Sequence, residues 1–315
     1  MAVSIIIPLY NKERHIKNTL CRVLEQEYSD FEIIVINDGS TDQSAAIVRK
    51  IKDNRIILIE KQNEGVSKTR NLGVKLAKYE LIAFLDADDE WEPDYLKRIV
   101  ALSEKYPDAA IYASNYSIIE KNGKKYSLQY PGIKEEEGIL KNYFYSAYSF
   151  TPLWTSAVCV RKSIFEAMGG FPTNIKNGED LDLWCRIALK YQIAYINVPL
   201  AIYRRDSDNM LSRSIVDPSW FPFLIDYKAD RSDLISDTES VEKYIEKRQL
   251  EAASAALFIV KDSKRCNSIL SGIKKVRWNK KKFYGLCILS RFPQRFVNFL
   301  YWRILKNENF SGHSA

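Results

Sequence analysis

The stretch "LIAFLDADDEWEP", from Leu81 to Pro93, starts apolar and ends with four acidic residues within five positions. Its apolar part predicts a buried strand, and only Ala87 separates Asp86 from Asp88 at the strand end. Carboxylates this close repel one another and cost stability unless a cation or a set of hydrogen-bond donors offsets the repulsion. We therefore expect this strand end to bind a cation or a group that donates hydrogen bonds. We also expect Asp89 to cap the helix predicted at "EPDYLKRIV".

Three more apolar stretches precede the quoted one, and amphipathic stretches separate them. The predicted strands are Val3–Tyr10, Glu32–Asp38, Arg55–Glu60 and Glu80–Ala87. The predicted helices are roughly Glu13–Gln26, a helix in "GSTDQSAAIVRKI" capped by Ser40 or Thr41, and roughly Val66–Ala77. Strands alternating with helices of this length predict an α/β fold with a parallel, doubly wound sheet.

Polar residues follow each predicted strand, and ligands of such sheets bind at the carboxyl ends of the strands. These residues are Tyr10 and Asn11, Asp38, Asn63, and Asp86 with Asp88. The pattern indicates a nucleotide site. The sequence contains neither GxGxxG nor GxxxxGK[ST], so it supports neither a dinucleotide fold nor a P-loop.

Composition excludes several other classes of protein. No apolar run reaches the roughly 18 residues of a membrane span, and "MAVSIIIPLYNKE" is interpreted as a first strand, not a signal peptide. The five cysteines are scattered without CxxC spacing, which argues against a disulfide or zinc framework and fits a reducing cytoplasm. His15 and His313 are the only histidines, which argues against a metal site or a catalytic triad built on histidine.

A second acidic cluster occurs in "NGEDLDLWCRIALKY", from Asn177 to Tyr191. Asn177 or Gly178 precedes the predicted helix, and three carboxylates fall in its first turn, where the helix dipole favours negative charge. They are Glu179, Asp180 and Asp182.

The net charge of +7 is concentrated near the C-terminus. Residues 263–307 contain twelve Lys or Arg and no Asp or Glu, so the rest of the chain carries −5. Within 272–306, a predicted helical apolar stripe is flanked by basic residues. The stripe is Phe296, Phe299, Leu300 and Ile304, and the flanking residues are Arg295, Arg303 and Lys306.

This basic, aromatic tail predicts an amphipathic segment lying on an anionic membrane surface. Two alternatives are single-stranded nucleic acid, which basic and aromatic mixtures also bind, and a pair of basic helices packed on the body. A body suited to nucleotide ligands favours the membrane, so we expect no nucleic-acid partner.

Six short segments between Val3 and Tyr203 occur in a fixed order: "IIPLYN", "INDGSTD", "NEGVSKTRNLG", "LDADD", "MGGFP" and "GEDLDLWCR". Together they resemble family 2 glycosyltransferases, which are inverting enzymes of the GT-A fold. The resemblance implies transfer of a hexosyl or N-acetylhexosaminyl group from a nucleoside-diphosphate sugar, UDP-sugar favoured. The implied acceptor is a glycan or lipid-linked saccharide in cell-surface polysaccharide synthesis.

On this resemblance the chain divides into a GT-A domain, residues 1–215, and a helical, membrane-associating extension, residues 216–315. The nucleotide-binding half is about 1–100 and the acceptor half about 101–215. The implied location is cytoplasmic, peripheral at the inner face of the cell membrane.

The resemblance also assigns the donor-side residues. Asp88 ligates the Mn²⁺ or Mg²⁺ that bridges the diphosphate, while Asp86 faces the ribose or metal-bound waters. Asp38 accepts a hydrogen bond from the nucleotide base. The remaining donor-side residues are Pro8 and Tyr10, which line the base, and Asn63 and Arg70, which approach the base and phosphates.

On the acceptor side, Asp180 is the implied catalytic base, because displacement with inversion needs one carboxylate to take the acceptor hydroxyl's proton. Glu179 either orients Asp180, contacts the acceptor, or simply caps the helix. Trp154 either stacks on an acceptor sugar or belongs to the core.

One position departs from the family pattern. Many members carry a metal-binding histidine in Y-R-x-H, whereas this chain has "YRRD" with Asp206 at that place. Either Asp206 replaces the histidine, since carboxylates suit Mg²⁺ and Mn²⁺, or the cation relies on Asp88 and water. Two alternative functions stay open: a nucleotide-sugar-binding module without turnover, and a sugar nucleotidyltransferase.

Overall fold

The computed structural model describes residues 1–148, 150–175, 177–205, 237–273, 275–293 and 295–297. The described residues fall into two compact units, an N-terminal unit up to residue 205 and a C-terminal unit from residue 237.

The N-terminal unit contains a mixed sheet with flanking helices. Its strands, in chain order, are β1 (Val3–Leu9), β2 (Phe31–Asp38), β3 (Ile56–Lys61), β4 (Leu81–Phe84), β5 (Glu90–Trp91), β6 (Ile111–Ile119), β7 (Lys125–Ser127), β8 (Glu137–Ile139), β9 (Val158–Arg161) and β10 (Ile193–Arg204). Across the sheet the order is β3-β2-β1-β4-β9-β6-β10-β5, with β7 beside β6 and β8 beside β10.

The first four strands run parallel, as their apolar sequences predict. The central strand β1 is buried on both faces, and Ile5, Ile6 and Ile7 are all fully buried. The next strand in the sheet, β9, is antiparallel to both β4 and β6. The sheet is therefore mixed beyond β4, where the sequence predicted mostly parallel strands.

Helices cover the sheet of this unit. They are α1 (Ile16–Leu24), α2 (Ser44–Lys50), α3 (Val66–Leu76), α4 (Tyr95–Lys105), α5 (Tyr143–Ser146), α6 (Lys162–Ala167) and α7 (Glu179–Ala188). Gly73 allows α3 to lie close to β1, because a Cβ at this glycine would be 2.3 Å from Ile6 Cγ2. This close packing fixes the position of the residues on α3 over the sheet.

Two predicted helix caps are wrong. Helix α2 begins at Ser44, and Ser40 and Thr41 are instead bound to Asn11 at the end of β1. Helix α4 begins at Tyr95, six residues beyond Asp89, and Asp89 is buried in other contacts.

The C-terminal unit is helical, with α8 (Thr238–Ala255), a π-helical turn (Ala256–Val260), α9 (Ser263–Ser271) and α10 (Lys280–Leu289). Each of the three α-helices starts with an Asx cap: the side chains of Asp237, Asp262 and Asn279 accept a backbone N–H three residues on. Their buried faces form a small core that includes Leu250, Leu257, Cys266, Leu270 and Leu286.

Parts of the predicted tail stripe lie outside the described residues, namely Phe299, Leu300, Arg303, Ile304 and Lys306. Across the described ranges, no helix has the length and apolar character needed to cross a membrane.

Candidate active site at the strand ends

The acidic stretch after β4 forms a tight turn held from two sides. The Asp89 N–H donates to the Asp86 carbonyl at 3.0 Å. From α1, the Thr19 hydroxyl donates to the carbonyls of Ala87 and Asp89. From the turn before β9, Ser156 Oγ accepts the Asp86 N–H at 3.1 Å. The carboxylates are therefore fixed relative to both neighbouring elements.

Cations within the chain offset the repulsion that the sequence predicts. Asp86 Oδ1 lies 2.6 Å from an Arg70 guanidinium nitrogen, and Asp88 Oδ2 lies 2.6 Å from Lys12 Nζ. Asp38, at the end of β2, pairs with Lys61 at 2.5 Å. Each strand-end carboxylate of the predicted donor site thus has a basic side chain as a direct partner.

Asp38 is 4% exposed, and its carboxylate also accepts the backbone N–H groups of Glu64 and Gly65. Gly39 has φ +73°, and a Cβ there would lie 2.9 Å from the Asn63 backbone nitrogen. Only glycine fits this approach without strain. The Asp38 loop and the start of α3 are therefore one closely packed unit.

Arg70 connects the donor and acceptor sides. Its guanidinium donates to Asp86 at 2.6 Å and to Glu179 at 2.8 Å, it lies over the Phe171 ring, and it is 4% exposed. Burial alone would lower the pKa of this guanidinium, but the Asp86 and Glu179 carboxylates raise it, so Arg70 stays charged. Its Nε is buried without a hydrogen-bond partner.

The acceptor-side carboxylates stand at the start of α7, after Gly178 with φ +79°. Asp180 Oδ2 accepts from the Thr155 hydroxyl at 2.9 Å, and its Oδ1 accepts the Leu181 N–H. Burial raises the pKa of Glu179 to about 7; Asp180 adds to the rise, Arg70 opposes it and Asp86 adds further. The third predicted carboxylate, Asp182, instead pairs with Arg186.

Asp89, predicted only as a helix cap, instead holds several elements of the site together. It is 1% exposed, and its carboxylate accepts from the Ser156 hydroxyl, the Trp154 indole N–H and the Arg204 backbone N–H. Burial raises the pKa of Asp89 well above its usual value, and Asp88 and Asp86 add to the rise. Asp89 thus connects three elements, and no feature of "DADD" distinguishes it from its neighbours.

The remaining predicted residues lie at the edges of this cluster. Trp154 is half-buried, with its ring centroid 4.0 Å from that of Tyr203, so it packs on the protein as well as binding Asp89. Pro8 is half-buried in β1, whereas Tyr10 is 47% exposed and Asn63 is exposed. Asp206 lies outside the described residues.

The described part of the chain holds no group of three or more His, Cys, Asp or Glu placed to bind a metal. Mg²⁺, however, usually takes one or two carboxylates and completes its shell with phosphates and waters. Asp88 fits such a site, because it offers hard oxygen ligands and already accommodates the positive charge of Lys12. Beside it opens a cavity of about 350 Å³ lined by Arg14, His15, Asn18, Thr19, Asp88, Glu90 and Arg204.

Comparison with known proteins shows the family to which the chain belongs. The family model named glycosyl transferase family 2 matches residues 4–168. The chain belongs to this family. The glycosyltransferase GlyA of Streptococcus pneumoniae serotype 4 is 25% identical, over 96% of this chain and 50% of its own length. An uncharacterized glycosyltransferase of Rickettsia conorii, RC0461, is 34% identical, over 64% of this chain and 32% of its own.

This family 2 chain spans half or less of the length of those relatives. Among solved structures, S. aureus TarS 1–349 in complex with UDP-GlcNAc matches with a TM-score of 0.57 and 20% identity. The match covers 87% of this chain and 71% of TarS 1–349. The likeness confirms the predicted GT-A fold of α/β class.

Proposed function

We propose that this chain transfers one sugar, hexosyl or N-acetylhexosaminyl, from a nucleoside-diphosphate sugar to a hydroxyl group of a glycan or lipid-linked saccharide. UDP-sugars are the favoured donors, since the Asp38 carboxylate can accept the imide N–H of uracil. The supporting observation is the chain of contacts Asp86–Arg70–Glu179 around the buried guanidinium of Arg70, with Asp180 next in sequence. It holds a donor-side carboxylate and an acceptor-side carboxylate around one guanidinium.

In the proposed reaction Asp180 takes the proton of the acceptor hydroxyl as its oxygen forms the new bond to the anomeric carbon. The bond to the nucleoside diphosphate breaks with its electron pair on the leaving oxygen, and the anomeric configuration inverts. A divalent cation at Asp88, when bound, neutralises charge on the leaving diphosphate. Thr155 holds one Asp180 oxygen, which fixes the orientation of the base.

Incubation with a panel of nucleotide-sugars and Mn²⁺ tests this proposal, with released nucleoside diphosphate as the readout. UDP-GlcNAc is a natural first donor, because S. aureus TarS was solved with it. Release of UDP together with a product of opposite anomeric configuration by NMR supports the proposal. Binding without release favours the binding module, release of pyrophosphate from a nucleoside triphosphate favours the nucleotidyltransferase, and a retained configuration rejects the single displacement.

We further propose that the chain works at the cytoplasmic face of the cell membrane, held there by the C-terminal unit. On α10, Tyr284 is 59% and Ile288 is 58% exposed, and they share one face because they are four residues apart. Phe292 and Phe296 pack on each other with ring centroids 4.9 Å apart, yet each is 43% exposed.

The same segment also carries four exposed basic residues: Lys280, Lys281, Arg291 and Arg295. Basic residues near an anionic bilayer contribute about 1 kcal/mol each, and apolar side chains insert beside them. The opposite side of α10 packs through Leu286 into the core of its unit. Helix α10 can therefore pack within its own unit and still present its exposed face to a membrane surface.

Flotation of the full chain with vesicles of anionic or neutral lipid tests the membrane proposal. The double variant Tyr284→Ser and Ile288→Ser is expected to lose most of its binding to anionic vesicles. Salt is expected to weaken the vesicle binding of the unaltered chain only in part. Point variants are preferable to truncation after Ser271, which would remove Leu286 from the core. Equal flotation of variant and unaltered chain rejects the membrane surface.

A further inference from the structure

The ion pair between Lys12 and Asp88 carries an inference about how the site takes up its ligands. Lys12 follows β1, and Asp88 follows β4, its neighbour in the sheet. Their side chains are only 13% and 14% exposed, and Nζ lies 2.6 Å from Oδ2. An ion pair this sheltered is screened by solvent less than a surface pair.

The backbone around Lys12 is fixed, so the contact is built into the fold. Asn11 adopts φ +50°, and its side chain accepts the Thr41 N–H. The Lys12 N–H donates to Ser44 Oγ at 2.8 Å. The side chain of Lys12, in contrast, is a flexible four-carbon stem with a point charge at its end.

We propose that Lys12 holds Asp88 until the nucleotide arrives, and that it then moves to the diphosphate and releases Asp88 to the divalent cation. This inference rests on the proposed cation at Asp88. A metal ion on Asp88 and the ammonium at 2.6 Å from the same carboxylate repel each other, so Lys12 opposes cation binding while no phosphate is present.

A diphosphate reverses this balance. Lysine ammonium groups bind phosphate oxygens as point charges, and the diphosphate also supplies oxygen ligands for the cation. Nucleotide and metal therefore bind cooperatively. Because coupling between two ligands is reciprocal, the metal must tighten nucleotide binding by the same factor.

Titration of the full chain with Mn²⁺, followed by the EPR signal of free Mn²⁺, measures this coupling with and without UDP. In the unaltered chain we expect UDP to raise the Mn²⁺ affinity at least tenfold. In Lys12→Met we expect Mn²⁺ alone to bind about tenfold more tightly than in the unaltered chain, and the enhancement by UDP to shrink. Lys12→Arg keeps the charge, so it is expected to bind Mn²⁺ alone as weakly as the unaltered chain does.

Lys17→Met is the matched control, since Lys17 is an exposed lysine on α1 and its loss changes the net charge equally. It is expected to match the unaltered chain. If UDP promotes Mn²⁺ binding but Lys12→Met binds Mn²⁺ alone no better than the unaltered chain, the holding role of Lys12 is wrong and the cation site stands. If Mn²⁺ binds under no condition, both the cation at Asp88 and the role of Lys12 are rejected.

Discussion

The free energy of unfolding of the N-terminal unit is expected to depend on pH through the protonation of Glu179. Burial and the neighbouring Asp180 raise the pKa of Glu179 from its ordinary 4.5 to about 7, against the opposing charge of Arg70. The native protein thus binds this proton more tightly than the unfolded chain does. The Glu179 contribution to the free energy of unfolding therefore falls as the pH rises from about 4.5 to about 7, and is constant above that range.

Glu179→Gln removes this titration and keeps the size and polarity of the side chain. One pH unit corresponds to about 1.4 kcal/mol, so the interval from 4.5 to 7 corresponds to about 3 kcal/mol in total. Between pH 5 and pH 8 the variant is expected to gain about 2 to 3 kcal/mol relative to the unaltered chain. The charge of Arg70 already contributes to this pKa, so its ion pair with Glu179 needs no separate correction, and any cost of the substitution that does not depend on pH cancels in the comparison.

Urea unfolding at pH 5 and pH 8, followed by tryptophan fluorescence, measures the gain, because Trp91, Trp154 and Trp184 lie in the N-terminal unit, and the other three tryptophans are common to the variant and the unaltered chain. Glu166→Gln, at an exposed carboxylate on α6, is the control. Its free energy of unfolding is expected to differ from that of the unaltered chain by the same amount at pH 5 and at pH 8. If the free energies of unfolding of Glu179→Gln and the unaltered chain differ by the same amount at pH 5 and pH 8, the reasoning is refuted.

Three further substitutions test the site. Asp180→Asn is expected to leave UDP binding intact by calorimetry and to lower turnover at least about 10²-fold, the scale of a general base; unchanged turnover rejects Asp180 as the base. Asp88→Ala is expected to abolish transfer and weaken nucleotide-sugar binding in Mn²⁺ with little change of fold, and near-normal turnover would show the metal assignment to be wrong. Asp89→Ala is expected to lower the free energy of unfolding by about 3 kcal/mol, because its buried donors lose their acceptor. Asp94→Ala, at a helix start without a side-chain cap bond, is its control in urea unfolding, and equal effects contradict the role of Asp89.

The strands of the nucleotide half were predictable because their apolar runs are continuous. Predicted Glu32–Asp38 starts one residue after the observed β2, and predicted Arg55–Glu60 is displaced by one residue at both ends from the observed β3. The helix starts were less predictable, since Ser40 and Thr41 are as suited to bind the β1 end as to cap a helix.

The partners of the acidic residues could not be predicted, because they depend on which strands are neighbours. Lys12 and Asp88 are 76 positions apart and meet only because β1 lies beside β4. Arg70 and Glu179 are 109 positions apart. Burial of Asp89, unlike that of Asp88, follows from its contacts with Trp154 and Ser156, and neither residue is near it in sequence.

Strand β9 has a consequence for motion within the N-terminal unit. It pairs with β4 on one side and β6 on the other, and the turn that carries Ser156 leads directly into it. A hinge between the donor and acceptor halves would have to break one of these ladders. We therefore expect the two halves to move as one rigid body during the catalytic cycle, with adjustment to the substrates confined to side chains and loops. Amide hydrogen exchange in β4, β9 and β6 should accordingly be slow and closely matched.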